Sequence, residues 1–183
     1  MQVLLDIREL LIEAEIDGQW RPIVNRLNLS LAEGEVVGLI GESGAGKSTL
    51  GLAALGYTKS GCRIVSGSIK LHGQELTTLP EDELRRIRGN QVSYVAQSAA
   101  AAFNPAHRLI EQFAEAPVQH GRMTKSEAGQ RGRQLYTQLD LPDPERIGER
   151  FPHQVSGGQL QRAMTAMAMG CEPDVIVFDE PTT

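Results

Sequence analysis

Eight consecutive residues, Gly41-Glu42-Ser43-Gly44-Ala45-Gly46-Lys47-Ser48, fit the pattern G-x-x-x-x-G-K-[ST]. Glycines at those positions let the backbone curl until successive N–H groups point inward at phosphate oxygens, and a helix that follows adds its positive end. Lys47 brings a compact cation to the β- and γ-phosphates, the Ser48 hydroxyl can ligate Mg²⁺, and Thr49 continues the same phosphate-contacting run. A second group lies far along the chain, where Val175-Ile176-Val177-Phe178 runs into Asp179-Glu180. A buried strand ending in two carboxylates places acid at the edge where ligands of open α/β sheets collect. Asp179 can hold Mg²⁺ through water, and Glu180, pointing elsewhere, can orient an attacking water. Between them stands Ser156-Gly157-Gly158-Gln159, two glycines that let phosphate approach a helix start beside a hydroxyl donor.

These groups need elements to hold them. Period-two alternation over residues 3–12 and 24–31, with Asp17-Gly18 as a turn, predicts an antiparallel pair of strands. Val36-Val37-Gly38-Leu39-Ile40 is continuously apolar and predicts a strand buried on both faces that feeds the glycine-rich loop. Ile69 and Leu71 resume a strand pattern, Pro80 with Glu81-Asp82-Glu83 opens a helix, and residues 92–96 predict another buried strand. Asn104-Pro105 predicts a capped helix start ahead of Leu109, Ile110 and Phe113, and Thr124-Lys125-Ser126-Glu127 a capping box leading to Leu135 and Leu139. Pro142, Pro144 and Pro152 interrupt the chain before a helix from Ser156 to about Gly170. The expectation is an α/β core with parallel strands, an N-terminal antiparallel β-subdomain and a helical insertion at about 98–155, with no internal repeat.

Composition excludes several classes. Lys and Arg number 18 against 23 Asp and Glu, a net charge of −5, so no nucleic-acid partner is expected. Only Cys62 and Cys171 are present, too few for a disulfide framework or a four-thiolate metal site. His72, His107, His120 and His153 are scattered, which gives zinc no support. Asp6, Arg8 and Glu9 interrupt the first apolar run before it could serve as a signal-peptide core, and no stretch approaches the roughly 18 apolar residues of a membrane span. A role at a membrane would need another chain to cross it.

Phe151-Pro152-His153-Gln154-Val155-Ser156-Gly157-Gly158-Gln159-Leu160-Gln161-Arg162 resembles the signature of ABC-type ATPases, with Val155 in the leading position. The order of motifs over essentially the whole chain resembles an ABC nucleotide-binding domain, a P-loop NTPase core. Glu42-Ser43-Gly44, Leu84-Arg85-Arg86-Ile87-Arg88-Gly89, Asn104-Pro105 and Asp179-Glu180-Pro181-Thr182-Thr183 look most like the ATPase subunits of oligopeptide, dipeptide and nickel importers. The resemblance implies ATP and Mg²⁺ as ligands. It makes Gln97 the glutamine that contacts the metal and water site, and divides the chain into 1–97 (β-subdomain and P-loop core), 98–155 (helical) and 156–183 (signature helix and carboxylate strand). It further implies location at the cytoplasmic face of the membrane. The implied partners are transmembrane permease subunits, a second ATPase subunit whose P-loop faces Ser156, Gly157, Gly158 and Gln159, and, indirectly, an extracytoplasmic solute-binding protein. The alternatives are a nucleotide-binding fragment without turnover and a non-transport ABC ATPase of DNA repair or translation. The sequence departs from the family at Ser98 and Ala99–Ala102, which replace an acidic, proline-containing segment. No family aromatic for adenine occurs early in the chain, and Trp20 is the substitute available. The family's D-loop and switch histidine are not reached by Thr183, so the chain as given is expected to be an incomplete cassette that does not turn over ATP.

Overall fold

A computed structural model describes residues 2–42, 44 and 46–180. They form two compact units, residues 1–87 and 88–183.

The first unit is built on an antiparallel sheet in the order β2-β1-β3-β4. Its long hairpin joins β1 (Val3–Ile16) to β2 (Gln19–Ala32) through Asp17-Gly18, both with positive φ. Leu5, Ile7, Leu10 and Ile12 of β1 are buried with Val24 of β2 and Ile69 and Leu71 of β3 (Cys62–Leu71), the one-sided pattern that period-two alternation calls for. The ladder is irregular near Glu9, where β1 slips register against both neighbours and takes a φ of 44°. Asn28 holds this bulge, accepting from the Glu9 N–H at 2.9 Å and donating to its carboxylate at 2.7 Å. Gly67 faces it with a φ of 104°, and a Cβ there would lie 2.5 Å from the Leu10 Cα, so only glycine fits. The short β4 (Gln74–Glu75) closes the sheet through Glu75. Its carboxylate accepts from the Ser68 hydroxyl, the Ile69 N–H (3.0 Å), the Thr77 N–H (3.2 Å) and the Thr77 hydroxyl (2.7 Å). Helix α1 (Lys47–Ala53) and helix α2 (Glu81–Ile87) complete the unit, with α2 opening on the three predicted acids.

One sequence expectation fails here. Residues 36–40 form no strand: Val36 is 95% and Ile40 101% exposed, and no described residue forms a ladder with the segment. An apolar run becomes a buried strand only when neighbours satisfy both of its edges and cover both of its faces.

In the second unit β5 (Val92–Val95) and β6 (Val175–Phe178) pair in parallel, Val92 opposite Val175 through Val95 opposite Phe178. Helices α3 (Ala99–Ala102), α4 (Leu109–Gln119), α5 (Lys125–Gln138) and α6 (Gly157–Met169) share one core with these strands, centred on Phe113, Leu135, Tyr136, Leu160 and Met164. Phe113 and Tyr136 meet edge to face at 6.1 Å, and Gly132 lets α4 and α5 approach, since a Cβ there would lie 2.6 Å from Ile110 Cδ1. Helices thus occupy this stretch, but the one expected at Asn104-Pro105 starts later. Asn104 accepts from the Ala106 N–H at 3.0 Å in a turn, and α4 begins five residues later, with the Glu111 carboxylate accepting from the Arg108 N–H at 3.0 Å. An asparagine side chain closes an Asx turn with the same geometry it would use to cap a helix. Among the described residues no helix is long and apolar enough to cross a membrane.

Candidate functional site

The glycine-rich loop lies in the first unit. Gly44 and Gly46 have φ of 84° and 82°, left-handed backbone that glycine enters without strain. At Gly46 a Cβ would lie 2.5 Å from the Ile23 carbonyl oxygen of β2, so the hairpin walls the loop and glycine is required. The Lys47 ammonium folds over the loop, donating to the carbonyls of Gly41 at 2.7 Å and Glu42 at 2.8 Å. That places the cation inside the curl of the backbone. Ser48 and Thr49 follow in the first turn of α1, both half-buried. Ser43 and Ala45, two of the nominated residues, lie outside the described residues.

Trp20 sits on β2 three residues before Ile23 and is 40% exposed. The Arg63 guanidinium covers its ring at 4.0 Å from the centroid while holding the Glu13 carboxylate at 2.8 Å.

The carboxylates lie in the second unit, at the carboxyl ends of its parallel strands. The ladder runs one bond past β6, the Asp179 N–H donating to the Val95 carbonyl at 2.9 Å. The Tyr94 hydroxyl donates to Asp179 Oδ2 at 2.6 Å. Burial, and then the Asp179 carboxylate, push the Tyr94 phenol above its ordinary range, so it stays protonated as the donor. Glu180 leaves the strand with a φ of 47°, a left-handed conformation unusual for glutamate, and its Oε2 accepts from Gln97 Nε2 at 2.7 Å. Residues 83 positions apart in sequence, both nominated for the same chemistry, are thereby joined. Gln161 of α6 fixes the approach to Gln97 by donating to the Ala96 carbonyl at 3.2 Å.

Helix α6 starts at the nominated signature. Ser156 Oγ accepts from the Gln159 N–H at 3.3 Å and Gln159 Oε1 accepts from the Ser156 N–H at 2.9 Å, a reciprocal capping box. Gly157 and Gly158 are exposed, and a Cβ at either would meet nothing within 4 Å, so their backbone is open to an incoming ligand. Arg162, one turn on, anchors the helix by donating to the carbonyls of Leu139 (3.2 Å) and Asp140.

Sequence reasoning did not nominate Tyr94, Gln161 or Arg162 for these positions. The available signal for Tyr94 was a phenol inside an otherwise apolar parallel strand, a group that needs a partner for its hydroxyl. A surface cleft of about 440 Å³ in the second unit, lined in part by Asn104, His107, Glu111 and Glu115, contains none of the nominated residues.

The nominated metal donors are a hydroxyl (Ser48), a carboxylate (Asp179) and an amide (Gln97), all hard oxygens, which suits Mg²⁺. No cluster of three or more His, Cys, Asp or Glu suited to a metal occurs among the described residues.

The chain is 40% identical over 163 residues to the oligopeptide transport ATP-binding protein AppD of Bacillus subtilis, covering 88% of this chain and 50% of that one. It is 37% identical over 180 residues to OppD of Escherichia coli K12, covering 98% and 53%. It therefore spans about half the length of these curated relatives. Among solved structures it resembles the ATP-binding cassette MJ0796, a dimer in a post-hydrolysis state bound to ADP and Pi, with a TM-score of 0.86 at 25% identity over 98% of this chain and 75% of that one. The sequence profile of the family described as ABC transporter matches residues 24–183, and the chain belongs to that family.

Proposed function

We propose that this chain is the nucleotide-binding part of an importer ATPase, coupling ATP binding and hydrolysis to uptake of peptide-like solutes. The observation that carries the reading is the Gln97–Glu180 hydrogen bond, which aims a carboxylate from the end of β6 beside Asp179. Names of the relatives, oligopeptide and dipeptide transport ATP-binding proteins, support the solute class over nickel. In this reading Lys47 and the backbone of residues 41–46 bind the β- and γ-phosphates. Glu180 accepts a hydrogen bond from the attacking water, whose oxygen bonds to the γ-phosphorus as the bond to the ADP oxygen breaks. Gln97 orients Glu180 by occupying one carboxylate oxygen. Ser48, Gln97 and Asp179 would hold Mg²⁺, which would supply positive charge against the phosphates.

The three-part division at 97/98 and 155/156 belongs to the same proposal. So do the partners: permease subunits in the membrane, a second ATPase subunit contributing its Ser156–Gln159 segment, and an extracytoplasmic binding protein acting through the permease. The site would then work at the cytoplasmic membrane surface.

Lys47→Ala should weaken Mg-ATP binding by at least about tenfold, since hydrogen bonds from a charged donor are worth about 1.5–3 kcal/mol. Titration calorimetry of both proteins tests this, and equal affinities would remove the phosphate site. Disrupting the gene that carries this sequence should abolish uptake of a labelled oligopeptide by the host cell. Undiminished peptide uptake overturns the solute assignment.

A further inference from the structure

We infer that Tyr94 is a positioning residue for the metal-nucleotide site, acting through Asp179, whose carboxylate its hydroxyl fixes. The inference rests on the functional reading above.

The register explains why this pair can form. Tyr94 stands opposite Val177 across the parallel ladder. Asp179 follows two residues later, so strand alternation puts it on the same face as Val177 and within the diagonal reach of a tyrosine. The Asp179 backbone is already fixed by its bond to the Val95 carbonyl. Rotation of the side chain is then the remaining freedom, and the Tyr94 hydroxyl restrains it at 2.6 Å. A carboxylate offers about four lone-pair directions. With Oδ2 engaged by a phenol proton, the orientation in which Asp179 meets metal-bound water is set before the metal arrives. Preorganisation of this kind lowers the cost of binding without any contact between Tyr94 and the ligand.

Tyr94→Phe keeps the ring and removes the one atom that the inference uses. ATP affinity of the full chain would be measured calorimetrically for wild type and variant, with Mg²⁺ and again with EDTA, alongside melting temperatures. The expected result is a three- to tenfold loss of affinity with Mg²⁺, about the worth of one hydrogen bond, with no loss in EDTA and an unchanged melting temperature. The loss should vanish when the same change is made in an Asp179→Asn background, because the two residues then no longer act as a unit. An equal loss with and without metal, no loss at all, or a loss that persists in the Asp179→Asn background would overturn the inference. If wild-type protein itself binds ATP no better with Mg²⁺ than with EDTA, the reading of the site falls, and the positioning role falls with it.

Discussion

Trp20 is the only tryptophan in the chain, which makes its emission a reporter of whatever meets its ring. One face is already covered by Arg63, an exposed cation–π contact worth about 0.5–1 kcal/mol. A purine can take the other face, with Arg63 completing a sandwich, or displace the guanidinium at that modest cost. Gly46 abuts Ile23 on the same strand, so a nucleotide with its phosphates in the loop has β2 as its neighbouring wall. Saturating ATP should therefore change Trp20 fluorescence, and Trp20→Ala should weaken ATP binding several-fold, in line with about 0.5–1.5 kcal/mol for an aromatic pair. Unchanged emission together with unchanged affinity would show that the base lies elsewhere.

Between elements, the ladder of β3 and β4 is reinforced by one carboxylate. Burial alone would raise the Glu75 pKa, but the bonds from Ser68, Ile69 and Thr77 outweigh it and hold the group below its ordinary value. A carboxyl depressed in the folded state contributes stability above its unfolded pKa and loses that contribution as pH falls through the folded value. Glu75→Gln should accordingly lower the melting temperature at neutral pH, and the gap to wild type should narrow as pH drops below the ordinary carboxylate range. A gap that stays constant with pH would mean that the charge is not what matters. The elements themselves were legible where their signals are local. Thr124 and Ser156 announce their helices because a capping box is complete within four residues. Asn104 misled because turn and cap use one local geometry, and only the Gln112 side chain, which bonds the backbone N–H and C=O of Asn104, marks the difference. The Tyr94–Asp179 bond joins residues 85 positions apart, and no spacing in the sequence encodes it. Gln97 was nominated through family resemblance and Glu180 from the strand that ends in carboxylates, and their contact became visible only in the folded strands.

For the whole molecule the segment at 36–40 dominates surface behaviour. Val36, Val37, Leu39 and Ile40 form a run of exposed apolar side chains with backbone groups in no ladder. Such a segment offers both apolar area and unpaired hydrogen-bonding groups to another chain. The protein as given should bind a hydrophobic dye and self-associate with rising concentration. The double substitution Val36→Lys with Ile40→Lys should reduce both while leaving the melting temperature in place, because neither side chain is part of a packed core. Dye binding that survives the double substitution would place the sticky surface elsewhere.

The capping box at Ser156 carries a consequence of sign. Both of its side-chain atoms act as acceptors, Ser156 Oγ toward the Gln159 N–H and Gln159 Oε1 toward the Ser156 N–H. What the pair does not spend in holding the helix is hydrogen: the serine hydroxyl proton and the glutamine NH₂. Folding thus sorts the polarity of this corner, turning lone pairs inward to the helix and leaving protons for the outside, beside two bare glycine backbones. A surface sorted in this way favours an anion. Aspartate at position 156 would cap the helix as well as serine does, yet it would reverse that preference.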